Sequence, residues 1–265
     1  MNLAFTILGC GSSGGVPRVA QGWGACDPHE PRNRRRRCAA LIERTSEAGR
    51  TLALIDAGPD LREQLIGADV TRLDGVLLSH PHADHTHGVD DLRPLTIAAR
   101  RRIDVHMDAA TCADVSAKFG YIFNTPPGSA YPPIAIERRL TPGVEVGIDG
   151  PGGIIAATPF ELAHGDIPAL GFRIGGLAYT PDLNGVPDAA APFLEGLDVW
   201  VIDALRYAPH PSHLSLAESL ALIERFRPRR AVLTNLHTDL DYATLRQTLP
   251  PGVKPAYDGM RIEGF

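Results

Sequence analysis

His80-Pro81-His82-Ala83-Asp84-His85 constrains this chain more than any other stretch, because four side chains able to hold a metal ion fall within six residues. The run follows a short apolar segment, Gly75–Leu78. A turn after a strand can aim alternating side chains at one point. His80 and His82 could then share one ion, with Asp84 and His85 facing a second. Neutral imidazole and carboxylate are the donors that suit zinc, manganese or iron. A solvated histidine-rich turn would read the same locally, but it would leave the solitary His and Asp residues at later strand ends without a reason.

Those later residues recur with a regular punctuation. Leu3–Leu8 runs into Gly9-Cys10-Gly11-Ser12-Ser13-Gly14-Gly15, and Thr51–Ile55 ends at Asp56-Ala57-Gly58-Pro59. Gly153–Ala157 opens a stretch that reaches His164, and Leu177–Thr180 stops at Pro181-Asp182. Val199–Ile202 stops at Asp203, and Ala231–Leu233 at Thr234-Asn235-Leu236-His237. Short β-branched runs bounded by breakers predict strands. Helices are predicted over Pro59–Ile66 and Ser215–Phe226. The second has apolar residues at Leu216, Leu220, Ile223 and Phe226, a serine cap, and Glu218 three residues on. Pro126–Pro133 reads as a surface loop or lid. The expectation is one α/β domain over residues 1–265, with polar residues at strand ends where a rigid sheet positions binding loops.

Composition narrows the setting. Hydrophobic residues at 44% and charged residues at 22% are ordinary for a soluble globular chain. A formal charge of −5 supplies no general attraction to nucleic acid or anionic membrane, so neither is expected as a partner. No leader-like amino terminus and no long apolar run are visible, and four cysteines lack CxxC spacing. Reduced thiols in a cytoplasmic protein are the simplest account. A zinc knuckle on Cys26 and Cys38 would need two more ligands.

His-x-His-x-Asp-His after a strand resembles the signature of the metallo-β-lactamase superfamily. The resemblance extends to Leu54-Ile55-Asp56-Ala57-Gly58, His164, Pro181-Asp182 and His237. It implies an αββα sandwich whose edge loops hold two divalent ions, zinc or manganese. By position, His80, His82 and His164 would bind the first ion. Asp84, His85 and His237 would bind the second, and Asp182 would bridge. Asp56 would support a ligating histidine through a hydrogen bond. Within the superfamily, three stretches resemble the carbon–phosphorus lyase accessory phosphodiesterases, which open a cyclic ribose phosphate. They are Leu8–Pro17, Trp23-Gly24-Ala25-Cys26 and Tyr257-Asp258-Gly259-Met260. The tRNA 3′-processing nucleases are more distant. Two departures stand out. Asn235 occupies the place of a common histidine, which passes the ligand role to His237, and the relatives' cysteine-rich zinc loop is only partly present.

Gly9-Cys10-Gly11-Ser12-Ser13-Gly14 fits GxGxxG, but no helix pattern follows it, so a dinucleotide fold is rejected. The turn is either structural or an approach site for phosphate. His213, before the capped helix, matches a histidine that touches the scissile phosphate in the resembling family, with His210 as its competitor. Arg34-Arg35-Arg36-Arg37 reads as a solvated face from which one or two residues could grip phosphate. The expected activity is hydrolysis of a small cyclic or nucleotide-like phosphodiester, with Asp84 and His213 at the chemistry. Ester or lactam hydrolysis, cofactor-biosynthesis oxidoreduction, nuclease action and plain metal storage are the rivals. A homodimer is the expected self-association.

Overall fold

The computed structural model describes residues 2–265. In chain order the first strands are β1 (Asn2–Gly9), β2 (Ala39–Ser46), β3 (Gly49–Ile55), β4 (Gly75–Leu77), β5 (Ile103–Met107) and β6 (Ala135–Arg139). There follow β7 (Val146–Ile148), β8 (Ile155–His164), β9 (Ile167–Ile174) and β10 (Leu177–Thr180). The last are β11 (Val199–Asp203), β12 (Arg230–Thr234), β13 (Val253–Pro255) and β14 (Met260–Glu263). The α-helices are α1 (Leu61–Gly67), α2 (Ala83–Thr86), α3 (Arg93–Ala99), α4 (Ala109–Phe119), α5 (Leu216–Phe226) and α6 (Tyr242–Thr248). None is long and apolar enough to cross a membrane.

Two seven-stranded sheets stack face to face, in the orders β14-β1-β2-β3-β4-β5-β6 and β13-β12-β11-β10-β9-β8-β7. Phe5, Ile42, Ile55 and Leu77 of the first sheet meet Phe172, Tyr179, Val201 and Val232 of the second in a buried layer. The outer face of the first sheet packs Leu54, Val76 and Val105 against Leu61, Leu65 and Val115 of α1 and α4. The outer face of the second packs Trp200, Ile202 and Leu233 beneath α5 and α6, through Leu216, Ile223 and Leu245. The result is the αββα sandwich of the metallo-β-lactamase type. A strand covered on both faces should be apolar throughout, and β11, Val199-Trp200-Val201-Ile202-Asp203, is buried along its whole length.

The predicted strands all form, and so does the capping box. Ser215 accepts from the Glu218 N–H while the Glu218 side chain accepts from the Ser215 N–H. More important for the site is direction. β3, β4, β5 and β6 run parallel, as do β10, β11, β12 and β13. Their carboxyl ends therefore open on the same rim, and Asp56, His80, Asp182, Asp203 and Asn235 each lie at or just past such an end. Ligands bind outside the carboxyl ends of parallel strands for this reason.

Candidate metal centre

β4 ends and the chain turns through Ser79 and His80 into α2, a single turn beginning at Ala83. Close packing of this turn on the Asp56–Pro59 loop requires glycine twice. A Cβ at Gly58 would strike the Asp84 carbonyl, and one at Gly88 would strike the Gly58 carbonyl. Asp56 itself is buried and left-handed, with φ 65°. That conformation costs a non-glycine residue about 1–2 kcal/mol, and here its carboxylate gains three partners. It accepts from Ser79 N at 2.8 Å and Ser79 Oγ at 2.9 Å, and lies 2.7 Å from His85 Nδ1.

These bonds decide which ring nitrogens face inward. His85 gives Nδ1 to Asp56, His80 Nδ1 lies 2.9 Å from Ser79 Oγ, and His164 Nδ1 lies 2.7 Å from the Ser212 carbonyl. In each ring Nε2 is left with its lone pair turned to the centre, as a ligating histidine needs. Ser79 thus links His80 to Asp56, a relay that sequence reading missed because serine has no ligand signature.

The inward atoms fall into two sets. His82 Nδ1 lies 3.1 Å from His80 Nε2 and 3.2 Å from His164 Nε2. Asp182 Oδ2 lies 3.8 Å and 3.7 Å from those two Nε2 atoms. Four donors about 2.0–2.2 Å from one centre would be about 3.3–3.6 Å apart in a tetrahedron, so this set fits one ion. On the other side, Asp182 Oδ1 is 3.3 Å and Asp84 Oδ2 is 3.4 Å from His85 Nε2. Both His85 Nε2 and Asp182 Oδ1 are buried without a hydrogen-bond partner. Buried polar atoms are rarely orphaned, and a shared cation resolves both. Electrostatics agree. Burial opposes charge on His85, yet Asp182, Asp84 and Asp56 outweigh it and raise its pKa well above the ordinary value. Burial likewise opposes charge on Asp182, but His85 and His80 hold its pKa well down. The pocket draws positive charge, and His82 leaves its rim open to solvent.

His213 and Asp203 join the cluster from the neighbouring strand end. Asp203 Oδ2 lies 2.9 Å from His213 Nδ1, and His213 Nδ1 is 3.8 Å from Asp182. His213 is close enough to count with His164 and Asp182 as a ligand set, but its Nδ1 is already held by Asp203. Burial lowers its pKa, and the bond to Asp203 more than reverses this, to about 9. Asp203 had appeared in the sequence only as a strand-end residue. His210 stands beside His213, with ring centroids 5.2 Å apart.

The structure places His237 outside the ligand sets that the resemblance implied it would join. It joins neither ligand set; its Nε2 contacts Arg18 Nη1, and its Nδ1 lies 3.1 Å from Thr238 Oγ1. Asn235, not His237, is the buried residue at the cluster, with φ 60°. Its Nδ2 donates to Asp203 Oδ1 at 3.2 Å and lies 3.0 Å from His213 Nδ1. The left-handed residue turns the chain, so that His237 leaves the cluster for the adjoining cavity.

The arginine run is corrected in part. Arg35 is not solvated but 2% exposed. Its guanidinium donates to the Leu240 carbonyl at 2.7 Å, Asn33 Oδ1 at 3.1 Å and the His237 carbonyl at 3.3 Å. It braces the loop from Cys26 to Arg37 against the chain after β12. All four cysteines are free and buried, and no cysteine joins a candidate metal set among the described residues.

Removing bound metal should therefore cost stability. An ion present at about a thousand times its dissociation constant contributes about 4 kcal/mol, which at this chain length is a midpoint shift of order 10 °C. Thermal unfolding with and without chelator measures it, and an unchanged midpoint would contradict the metal centre.

A profile described as a beta-lactamase superfamily domain matches residues 51–235. A solved structure described as a new diphosphatase from the PhnP family is 30% identical, covering 100% of this chain and 98% of its own, with TM-score 0.88. An octanoyltransferase of Porphyromonas gingivalis is 32% identical over 259 residues, which is 96% of this chain and 50% of that protein. The chain thus spans about half the length of this curated relative. Zinc-bound PqqB from Methylobacterium extorquens, 18% identical over 98% of this chain and 99% of its own, shares the fold with TM-score 0.76. On the matched profile, the ligand geometry and the two-sheet sandwich together, the chain belongs to the metallo-β-lactamase superfamily and carries its hydrolase fold.

Proposed function

We propose that this protein is a metal-dependent phosphodiesterase acting on a small cyclic or nucleotide-like phosphodiester, such as a ribose cyclic phosphate. The observation that carries the reading is a cavity of ≈ 120 Å³ beside His213, lined by Ser12, Arg18, Arg206, His210 and His237 but by no carboxylate. Such a wall favours an anionic substrate over a neutral lactam or ester.

Its cations are held by groups that do not neutralise them. Arg206 donates to the carbonyls of Ala208 at 3.1 Å and Pro209 at 2.8 Å. Arg18 is fixed by its backbone, which exchanges hydrogen bonds of 2.8 Å with Gly22 in both directions. Gly14 lets its guanidinium fold back, since a Cβ there would overlap it. Contact with Arg18, which can only donate, requires His237 to be the neutral acceptor. Ser12 Oγ is buried and unpartnered, free to donate to a phosphoryl oxygen. The glycine turn thus supports substrate approach.

Two bound divalent ions would supply Lewis acidity toward the phosphoryl oxygens and lower the pKa of a shared water toward neutrality. His80, His82, His164, Asp84, His85 and Asp182 would hold them. Asp203 fixes His213 through Nδ1, leaving Nε2 to pass a proton to the departing alkoxide. The likeness to a diphosphatase supports phosphorus chemistry at this site.

Turnover of bis(p-nitrophenyl) phosphate and a panel of cyclic phosphates, in zinc and in manganese, tests the reading. Arg18→Ala and Arg206→Ala should each raise KM by roughly 10–100-fold, since a charge-assisted hydrogen bond is worth roughly 1.5–3 kcal/mol. Turnover confined to neutral esters or lactams would overturn it.

A further inference from the structure

We infer that the two metal positions are unequal: one binds its ion tightly, while the other is an oxygen-rich position whose ion exchanges with the medium. The inference concerns ion binding alone and stands whether or not the phosphodiesterase reading holds.

The first position gathers three imidazole nitrogens, His80 Nε2, His82 Nδ1 and His164 Nε2, with one carboxylate oxygen of Asp182. Two of its three rings are locked by hydrogen bonds at Nδ1, so binding costs little further ordering. Three imidazoles and a carboxylate form a complete tetrahedral set for zinc.

The second position has one imidazole of its own, His85 Nε2, with Asp182 Oδ1 at 3.3 Å and Asp84 Oδ2 at 3.4 Å from it, and it borders His80, which groups with His85 and Asp182 as well as with His82 and His164. The residue that reaches the cluster from the end of β12 is Asn235, and its amide is engaged elsewhere. Nδ2 donates to the Asp203 carboxylate at 3.2 Å, so the amide is turned toward Asp203 and His213. His237, two residues on, has its Nε2 against Arg18 and cannot turn inward without losing that contact. Among the described residues the further imidazole grouped with His85 and Asp182 is that of His80, which already serves the first position, so no second imidazole of its own completes this set. One nitrogen and two oxygens favour a harder ion such as manganese, and Asp84, part-exposed at 17%, leaves that side open to solvent.

Asn235 therefore has a stated job, which is to brace Asp203, the residue that orients His213, in place of ligating. The test is metal stoichiometry. Protein stripped by chelator is loaded with zinc or manganese, desalted, and assayed by elemental analysis, with calorimetric titration of each ion and paramagnetic resonance of bound manganese. Loss of a mere supporting contact already weakens metal binding 10–100-fold, and absence of a direct ligand weakens it no less. One equivalent should survive desalting, and the second should bind at least roughly tenfold more weakly. Asn235→His should bring retention to two equivalents, and His237→Ala should leave the wild-type stoichiometry unchanged. If Asn235→His does not fold, Asp84→Asn serves instead and should remove only the weak equivalent. Two equivalents retained by the wild type with similar affinity would overturn the inference, as would loss of an equivalent in His237→Ala. Unequal binding without phosphodiester turnover would refute the functional proposal and leave this one standing.

Discussion

Asp182→Asn should abolish turnover while leaving the fold in place. Asp182 is 3% exposed and touches both ligand sets, with Oδ2 facing His80 and His164 and Oδ1 facing His85. Two dications held close together need an anion between them. The amide keeps the shape of the side chain but removes that charge, and it puts N–H donors where lone pairs are required. The second ion should be lost outright and the first weakened, with kcat down by roughly 10²-fold or more, the upper end of losses seen when metal support fails. Circular dichroism should be unchanged. The bridging role fails if this variant keeps two ions and normal turnover.

The second large effect concerns His213. Because Asp203 holds Nδ1 at 2.9 Å, the ring presents Nε2 in a fixed direction. His213→Ala should lower kcat by roughly 10²–10⁴-fold on an alkyl phosphodiester, the usual share of a general acid. The loss should shrink on a p-nitrophenyl ester, whose leaving group departs without a proton. His210→Ala should have little effect, since no carboxylate orients that ring. Equal losses on good and poor leaving groups would instead make His213 a phosphate-positioning residue. Both variants near wild type would remove it from the mechanism. Asp203→Asn should reproduce part of the His213→Ala loss in kcat at unchanged KM, because it acts through the imidazole's orientation.

How much of this was written locally? The ligand run from His80 to His85 is a short-range pattern, legible because β4 before it and α2 within it fix the turn. The strands that became β1, β3, β10, β11 and β12 were legible because both-face burial makes them apolar runs ended by breakers. The α5 cap was legible because a capping box needs only Ser215 and Glu218 at the right spacing. Less visible was β5, whose buried Ile103, Val105 and Met107 alternate with Asp104 and His106, a half-exposed pattern too short to stand out. α6 was missed for a similar reason: only Tyr242 and Leu245 of its seven residues are buried.

The chemistry divides along the same line. Residue type and spacing determined that this chain would gather imidazoles and carboxylates at strand ends. Which of them would face the ions depended on contacts between residues far apart in sequence. Arg35 looks solvated in sequence and is buried only because Asn33 and the carbonyls of His237 and Leu240 converge on it. Asp56 orients His85 across 29 positions, and Asp203 orients His213 from the next strand end. Asn235 and His237 show the limit most clearly. Histidine is the better ligand, and sequence spacing alone favoured it. A left-handed φ of 60° at Asn235, held by its bond to Asp203, turned the amide inward and sent the imidazole to Arg18. The sequence determined which donors were available, and the backbone dihedral, fixed only by tertiary contacts, decided which side chain faced Asp203 and which faced Arg18.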